Sequence, residues 1–529
     1  MKRTLVALSV LAISLVPVAP SPAGSAALPK RPNIVVIMLD DMRFDQLHDM
    51  PTVMSQLVGK GRSFNKMFAT GTICCPSRTS FLRGQYVHTH SVYETIVTKD
   101  PTSPFFKYSS GLWAKKVGVD TPTIANWLDN LGYFTAESGK FLNGYPGVKP
   151  PSGWDFWRQK LGNYTNFRVV VNGKFVRYGA KSYETDVVTD YGIDAIKASG
   201  KNPLFLWLAY FAPHSPWLAP TRYNTDAKAP SCKNENLTGL PSFNEAANDT
   251  DAMTDKPRWM PRTPYTPDQA TTLGVTDQVA ACRTLLAADD NIGRTLAALQ
   301  VKDPGLHNTI IIFTSDQGVE DGQHMQPDKK VPYEETIHLP FIVRADSLLG
   351  GVPSVDNTDM ITNIDLAPTL VDLAGGDSTT IKPGCPHSGD QFETACVARG
   401  GGFDGYSWAP LLTGKGAYTP RQDFLIEHWD PLAATSLPPG DDEGGIVPAF
   451  CAVRTQDAKL IRYWKGDDWG FDWEGYDLSA DPNELHSVVY SGTDGIPQFR
   501  GNGQAIYDAL YPRLAALCSP PPPEYPAFP

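Results

Sequence analysis

Residues Asn33–Leu39 read NIVVIML, and Asp40 and Asp41 follow them directly. A continuous apolar run rich in β-branched residues is typical of a strand that is buried on both faces of a parallel sheet. Carboxylates at the end of such a strand are costly to bury unless a cation or hydrogen-bond donors compensate them. Taken alone, Asp40-Asp41 would fit an ordinary helix cap. Their position instead predicts a charged site at the carboxyl end of a central strand.

Three further apolar runs resemble the first, and helical patterns lie between them. The runs are Leu204–Phe211 (LFLWLAYF), Thr309–Phe313 (TIIIF) and Leu339–Val343 (LPFIV). The helical patterns are Thr121–Leu131, Tyr183–Ala198 and Thr276–Leu299. Strands that alternate with helices predict an α/β fold, a sandwich with a mainly parallel central sheet. Ligands of such sheets bind beyond the carboxyl ends of the strands.

The C-terminal part of the chain has a different pattern, in which short alternating strands are separated by turns. These strands are Asp423–His428, Ala449–Arg454 and Lys459–Trp464, and Gln504–Cys518 then has helical spacing. They predict a smaller antiparallel sheet packed with a helix. We therefore expect a catalytic domain over 28–418, a small antiparallel subdomain over 419–518, and a proline-rich tail over 519–529 that cannot form a helix or a sheet interior.

The N-terminus predicts export. Residues 1–27 contain Lys2 and Arg3, an apolar run over Leu5–Val18 and a small-residue stretch, which is the pattern of a signal peptide. This apolar run is too short to span a bilayer comfortably, and the rest of the sequence contains no apolar stretch of about eighteen residues or more. We therefore expect a secreted or extracytoplasmic protein without stable membrane insertion. An uncleaved N-terminal anchor is the alternative. The net charge of −11 argues against nucleic-acid binding.

Export changes the meaning of the eight cysteines, because disulfides persist outside the reducing cytosol. Six of them occur singly, and sequence alone leaves many pairings open. Proximity along the chain favours Cys232–Cys282, Cys385–Cys396 and Cys451–Cys518. The adjacent Cys74 and Cys75 remain, and neighbouring cysteines rarely bridge each other.

Oxygen ligands follow two of the predicted strands. Asp316 and Gln317 come after the run TIIIF, as Asp40 and Asp41 come after NIVVIML. Three carboxylates and an amide oxygen at one sheet edge form a hard donor set, which suits Ca²⁺ or Mg²⁺ rather than Zn²⁺. We expect Ca²⁺, with Mg²⁺ as the alternative.

The segment Cys74–Gly84 reads CCPSRTSFLRG. Pro76 close to the start predicts a helix that begins near Cys74, where backbone N–H groups favour an anion that Arg78 also pairs with. The segment resembles the signature of type I sulfatases, C-x-P-S-R followed by a leucine and a glycine. The resemblance implies that a formylglycine-generating enzyme oxidises Cys74 to formylglycine, whose hydrate is the nucleophile and contacts the metal, while Cys75 fills the variable position.

Other motifs follow in the order of that family. The resemblance implies metal ligation by Asp40, Asp41, Asp316 and Gln317, the last standing where the family usually has asparagine, and roles in catalysis for Arg78, Lys140, His214 and Lys329. The chain departs from the family at Lys140-Phe141-Leu142-Asn143, where the family has Lys-Trp-His. Leu142 stands at the position of that histidine, and Asn143 is a candidate to make the hydrogen bond of the histidine instead.

The resemblance implies an alkaline-phosphatase-like sandwich that hydrolyses the sulfate ester of a sulfated small molecule or glycan, a carbohydrate or an aryl sulfate. The segments 452–455, 459–463 and 476–485 resemble the closing antiparallel sheet of sulfatases, and together with Lys140–Gly144 (KFLNG) they are most similar to glucosamine-6-sulfatases and related carbohydrate sulfatases. Two alternatives remain: a phosphate or phosphonate ester hydrolase of the same superfamily, and a secreted polyanion-binding protein whose cysteine is never oxidised. His324 lies between Asp316 and Lys329 and is a further candidate for substrate contact.

Overall fold

A computed structural model describes residues 31–95, 122–145, 148–232, 255–257, 259–260, 276–326, 328–385, 396–397, 400–429, 447–464, 471–492, 495–519 and 521. The predicted signal peptide, 1–27, and most of the predicted tail lie outside these residues. Within the described part of the chain, no helix combines the length and apolarity needed to cross a membrane.

The largest sheet has ten strands in the order β12-β2-β11-β9-β1-β8-β4-β5-β6-β7. In chain order they are β1 (Asn33–Leu39), β2 (Arg62–Phe64), β4 (Phe134–Gly139), β5 (Phe156–Leu161), β6 (Arg168–Val171), β7 (Lys174–Arg177), β8 (Leu204–Ala209), β9 (Thr309–Ser315), β11 (Phe341–Arg344) and β12 (Ser354–Asp356). The five central strands, from β9 to β5, are parallel neighbours. The expected parallel centre is therefore confirmed.

The predicted strand Leu339–Val343 is divided in the structure. Pro340, which has no N–H to donate, separates β10 (His338–Leu339) from β11. β10 belongs to a three-stranded sheet with β3 (Met67–Phe68) and β13 (Ile361–Thr362). β11 runs antiparallel to both of its neighbours, β9 and β2, so the large sheet is mixed at this edge.

Helices cover both faces of the central strands. The α-helices of the described residues are α1 (Pro51–Gln56), α2 (Cys74–Arg83), α3 (Val87–His90), α4 (Ile124–Asn130), α5 (Glu184–Ala198), α6 (Gln278–Lys302), α7 (Glu334–Ile337), α8 (Asp346–Leu349), α9 (Leu366–Leu373), α10 (Ala409–Thr413) and α11 (Gly503–Leu517). Alternate residues of β1 enter two separate cores. Val36 packs in one core with residues of α2, α4 and α9, and Val35 packs in the other with residues of α5 and α6. This is the layered arrangement that a doubly buried strand predicts.

The C-terminal strands form a six-stranded antiparallel sheet with consecutive order, as the sequence pattern predicts. Its strands are β14 (Asp423–His428), β15 (Phe450–Thr455), β16 (Ala458–Trp464), β17 (Phe471–Asp477), β18 (Val489–Ser491) and β19 (Pro497–Phe499). Helix α11 packs on this sheet through Leu510 and Leu514. All three disulfides expected from proximity are present: Cys232–Cys282, Cys385–Cys396 and Cys451–Cys518. Cys74 and Cys75 are both free and buried.

Candidate active site

Four parallel strands end at one edge of the large sheet and carry the polar groups found there. Asp40 follows β1, Lys140 follows β4, His214 lies shortly after β8, and Asp316 follows β9. The start of helix α2 brings Cys74 to the same place. Because the central strands are parallel, their carboxyl ends meet, and residues far apart in sequence become neighbours.

The thiol of Cys74 lies at the centre of the cluster, with 1% of the residue exposed. Its Sγ lies 3.5 Å from Asp40 Oδ1 and 3.9 Å from Asp41 Oδ1. Gln317 Nε2 at 3.3 Å and Lys329 Nζ at 3.4 Å donate to it. Burial raises the pKa of the Cys74 thiol well above its ordinary value, although Lys140 and Lys329 oppose this. The unmodified thiol is therefore protonated at neutral pH and is a weak nucleophile.

Two lysines neutralise the carboxylates that follow β1. Lys140 Nζ donates to Asp40 Oδ2, and Lys329 Nζ donates to both oxygens of Asp41, at 2.8 and 2.9 Å. Burial alone would raise the pKa of Asp40, but Lys140 and the other nearby cations outweigh it and hold that pKa well below the ordinary range. The carboxylate of Asp40 is therefore ionised.

The backbone before Lys140 requires a glycine. Gly139 has a φ of +127°, and a Cβ at this position would lie 1.8 Å from the carbonyl oxygen of Ala209 on β8. Lys140 N then donates to that same carbonyl at 2.9 Å. The Gly-Lys pair thus lets β4 approach β8 closely while the lysine side chain enters the site.

Arg78 connects three elements of the site from inside helix α2. Its Nε donates to Asp316 Oδ2 at 2.6 Å, its Nη1 donates to the backbone oxygen of Lys140 at 2.5 Å, and its Nη2 lies 3.6 Å from Asp40 Oδ1. Arg78 and both carboxylates are buried. Burial raises the pKa of Asp316 to about 7, although Arg78 lowers it. The guanidinium is the principal cation that stabilises the ionised form of Asp316.

His214 faces Lys329 across the site. Its Nδ1 lies 2.6 Å from the backbone oxygen of Ser215 and therefore carries the proton of the neutral ring. Its Nε2 lies 3.3 Å from Lys329 Nζ and 3.5 Å from Asp41 Oδ2. Burial lowers the pKa of His214, which favours this neutral form.

The donor set fits a hard divalent cation. Gln317 Oε1 is buried and has no hydrogen-bond partner within the described residues, while Gln317 Nε2 donates to Asp41 Oδ1 and to Cys74. Ligand atoms of Asp40, Asp41, Cys74 and His214 lie within 4.8 Å of one another, and Asp316 adjoins this group because its Oδ1 accepts a hydrogen bond from the backbone N–H of Asp41 at 3.2 Å. An orphaned buried carbonyl oxygen beside three carboxylates satisfies the chemistry of a Ca²⁺ or Mg²⁺ site. Asp41 also has a φ of +67°, a strained value for a non-glycine residue, which is common at functional sites.

The structure gathers every predicted site residue in one cluster: Asp40, Asp41, Cys74, Arg78, Lys140, His214, Asp316, Gln317 and Lys329. His324 lies apart from them, buried and stacked on Tyr333 with ring centroids 3.9 Å apart. A sulfatase family model matches residues 32–376 of the chain.

The chain belongs to the sulfatase family. N-acetylglucosamine-6-sulfatase of Homo sapiens is 30% identical over 505 residues, with 88% of this chain and 82% of the relative covered. The N-acetylglucosamine-6-O-sulfatase of Bacteroides thetaiotaomicron is 25% identical over 550 residues, and the alignment covers 90% of this chain and 86% of the bacterial enzyme. The protein is accordingly a sulfatase, which hydrolyses sulfate esters, and these two relatives are named for action on the 6-sulfate of N-acetylglucosamine.

Solved structures show the same fold. One solved structure is that of a protein in complex with its substrate, D-glucosamine-2-N,6-O-disulfate. It aligns with this chain at a TM-score of 0.63 and 22% identity, and the alignment covers 92% of this chain and 97% of the solved one. The phosphonate monoester hydrolase of Agrobacterium radiobacter aligns at a TM-score of 0.60 and 17% identity, and the alignment covers 92% of this chain and 95% of the hydrolase. The alkaline-phosphatase-like architecture of the sulfatase is therefore shared with phosphonate hydrolases as well.

A cavity of about 460 Å³ opens beside Lys140 and His214 of the sulfatase. Leu142 and Asn143, which stand where the family pattern has its missing histidine and the next residue, both line this cavity. So do Gln159, Lys160 and Phe211, which sequence reasoning did not identify because they belong to no motif. Lys160 lies in the sequence Phe156–Leu161 (FWRQKL), in which nothing distinguishes it from a surface lysine.

Proposed function

We propose that this sulfatase removes the 6-sulfate of glucosamine residues in sulfated glycans, with formylglycine derived from Cys74 as its nucleophile. The observation that supports the nucleophile is the position of Cys74, whose buried Sγ lies within 3.9 Å of Asp40, Asp41, Gln317 and Lys329 at the start of α2. The substrate class rests on the likeness to N-acetylglucosamine-6-sulfatases over most of both chains.

Oxidation of Cys74 solves a chemical problem of the site. A protonated, buried thiol is a poor nucleophile, and a thiolate there would face Asp40 and Asp41. The hydrate of an aldehyde at the same position offers a hydroxyl in place of the thiol, and Lys329 and Gln317 already donate to that position. We propose that a formylglycine-generating enzyme acts before the chain folds, because the folded protein buries Cys74 almost completely.

Asp40, Asp41, Asp316, Gln317 and the oxidised residue 74 are the proposed ligands of Ca²⁺, with Mg²⁺ as the alternative. When bound, the ion supplies Lewis-acid polarisation and lowers the pKa of the attacking hydroxyl. Arg78 holds Asp316 in its ionised form and orients it through the 2.6 Å bond. Lys140 and Lys329, which contact the carboxylates, are positioned to neutralise the oxygens of the sulfate group as well.

His214 and Lys329 are the proposed proton donors to the leaving alcohol. The 3.3 Å contact between Lys329 Nζ and His214 Nε2 allows a proton to pass between them. His214 also lines the cavity beside the site, which is where the alcohol part of the substrate would lie. One hydroxyl of the hydrate attacks sulfur as the bond from sulfur to the alcohol oxygen breaks, which gives a sulfate ester at residue 74. Removal of the proton from the second hydroxyl then re-forms the C=O bond and expels sulfate, and water rehydrates the aldehyde.

Two measurements on protein from its native host test the proposal. Mass spectrometry of the peptide that contains Cys74 is expected to show a loss of about 18 Da, the change from thiol to aldehyde. Ion chromatography is expected to detect sulfate released from N-acetylglucosamine 6-sulfate. An unmodified Cys74 in exported protein would remove the nucleophile, and binding of sulfated glycan without sulfate release would favour the polyanion-binding alternative.

A phosphonate ester hydrolase is the second candidate, because the fold is shared with such enzymes. A comparison of kcat/KM between matched sulfate and phosphonate esters separates the two. We expect the sulfate ester to be preferred, and a preference for the phosphonate would overturn the assignment.

Export to an extracytoplasmic compartment is also proposed. The three disulfides are typical of proteins that leave the reducing cytosol. N-terminal sequencing of the mature protein is expected to show cleavage near Ala26 or Ala27, and retention of Met1 would contradict cleavage.

A further inference from the structure

The cavity beside Lys140 and His214 contains a second cation, Lys160. Lys160 lies on β5, which pairs with β4, and β4 ends directly before Lys140. Its Nζ lies 3.7 Å from the centroid of the Phe211 ring, and Lys140 Nζ lies 5.5 Å from the same centroid. One aromatic ring therefore lies near both ammonium groups, and Lys160, Phe211 and Lys140 line the same cavity.

Lys160 differs from Lys140 in its partners. Lys140 is paired with Asp40, whereas the ammonium of Lys160 makes no hydrogen bond or ion pair of 4.0 Å or less within the described residues. Among the carboxylates, the buried Glu184 has the largest electrostatic effect on Lys160. Burial raises the pKa of Glu184, and Lys160 opposes that increase. Burial lowers the pKa of Lys160 to about 8, with Glu184 opposing and Lys140 adding to the decrease. A desolvated ammonium that contacts an aromatic ring but has no hydrogen-bond or ion-pair partner within the described residues is a group that an anionic ligand would stabilise.

Gln159 and Asn143 line the same cavity, and the side-chain oxygen of each lacks a hydrogen-bond partner within the described residues. Gln159 is 1% exposed, and its Oε1 has no hydrogen-bond partner in the described part of the chain. Asn143 Oδ1 is likewise buried without one. Buried acceptors of this kind are costly unless a ligand or water donates to them. Hydroxyl and amide N–H groups of a sugar are suitable donors.

We propose that Lys160 binds a second anionic group on the alcohol part of the substrate, while Gln159 and Asn143 accept hydrogen bonds from hydroxyl or N–H groups of the same sugar. The inference rests on the proposed function, because the leaving alcohol must lie in this cavity. The second anion is a sulfate or a carboxylate, which share the negative charge that Lys160 would recognise. Lys160 thereby selects sulfated sugars that carry more than one negative charge.

The test compares substrates that share the 6-sulfate and differ elsewhere. N-acetylglucosamine 6-sulfate has a neutral amide, glucosamine-2-N,6-O-disulfate has a second sulfate, and a uronate-linked disaccharide of N-acetylglucosamine 6-sulfate has a carboxylate. We expect kcat/KM to be roughly tenfold or more higher for at least one doubly anionic substrate, as a charged hydrogen bond predicts. Lys160→Met is expected to reduce that preference by a similar factor, mainly through KM, and Lys160→Arg to retain most of it.

Lys174→Met is the matched control, because Lys174 lies on the exposed strand β7. It is expected to keep the substrate preference of the wild type. Should Lys160→Met fail to fold, inhibition of the wild type provides the same information. Glucosamine N-sulfate, which lacks the 6-sulfate, is expected to inhibit roughly tenfold more tightly than N-acetylglucosamine.

The outcomes are distinct. A Lys160-dependent preference for the N-sulfated substrate identifies a sulfate as the second anion, and one for the uronate substrate identifies a carboxylate. Equal kcat/KM for all three substrates, or a preference that Lys160→Met leaves intact, would overturn the inference while the sulfatase function stands. Absence of sulfate release from all three would instead refute the proposed substrate.

Discussion

Replacing Arg78 with methionine should destabilise the protein strongly. Methionine replaces the apolar stem of the side chain but removes the guanidinium that contacts Asp316 and Asp40. All three side chains are almost completely buried, so the carboxylates would lose a partner that water cannot replace. Breaking a buried pair by removing one partner typically costs about 3–5 kcal/mol. We expect the free energy of unfolding to fall by about that amount.

The loss should depend on pH in a defined direction. Burial raises the folded-state pKa of Asp316 to about 7 even though Arg78 opposes it. Without Arg78 the carboxyl keeps its proton to higher pH. A folded-state pKa above the unfolded value means that stability decreases as pH rises toward the folded-state pKa. In the wild type, the destabilisation that comes from Asp316 is complete near pH 7. In Arg78→Met it continues to increase at higher pH, so the difference in the free energy of unfolding between the two proteins should widen above pH 7.

Urea unfolding in EDTA, followed by tryptophan fluorescence, measures this difference at several pH values. Arg294→Met is the matched control, since Arg294 pairs with Asp190 and both side chains are exposed. An exposed pair contributes about 0–1 kcal/mol. A loss below about 1 kcal/mol for Arg78→Met, equal to that of the control, would refute the argument from burial.

Three further predictions concern activity, metal binding and pH. Cys74→Ala should abolish sulfate release with little change in folding, whereas Cys75→Ala should retain activity; substantial turnover by Cys74→Ala would contradict the nucleophile assignment. Asp316→Ala should lower the bound divalent metal per protein, measured by inductively coupled plasma mass spectrometry, as well as kcat; an unchanged metal stoichiometry would contradict its role as a ligand. The preference for doubly anionic substrates should decrease as pH rises through about 8, the pKa to which burial lowers Lys160. The groups that face Lys160 are the charged Glu184, Lys140, Asp40 and Arg78 and the neutral ring of His214, and the profile is that of Lys160 when these groups keep their protonation states over the range. A preference that is constant from about pH 6.5 to about 9.5 would exclude the ammonium as its source.

Much of the fold and of the site follows from local sequence. The run NIVVIML is apolar at every position after Asn33, so both faces of the strand had to be covered, and the two cores on either side of β1 confirm this. The residues after β1, β4, β8 and β9 meet because parallel strands end at a common edge. The run Leu339–Val343 was not one strand, because Pro340 cannot donate a ladder hydrogen bond and the two parts pair in different sheets.

Short motifs at strand and helix ends identified the candidates for the chemistry of this sulfatase: a cysteine for the nucleophile, oxygens for a divalent cation, and the lysines and histidine that accompany them. Residue type and local position carry that information. The set of groups that line the cavity could not be predicted in this way. Lys160 is in no motif, and it lies near Lys140 because β5 pairs with β4, while the ring of Phe211, after β8, lies within 5.5 Å of both ammonium groups. The direction of a strand side chain depends on pairing between distant segments, and no local pattern encodes that pairing.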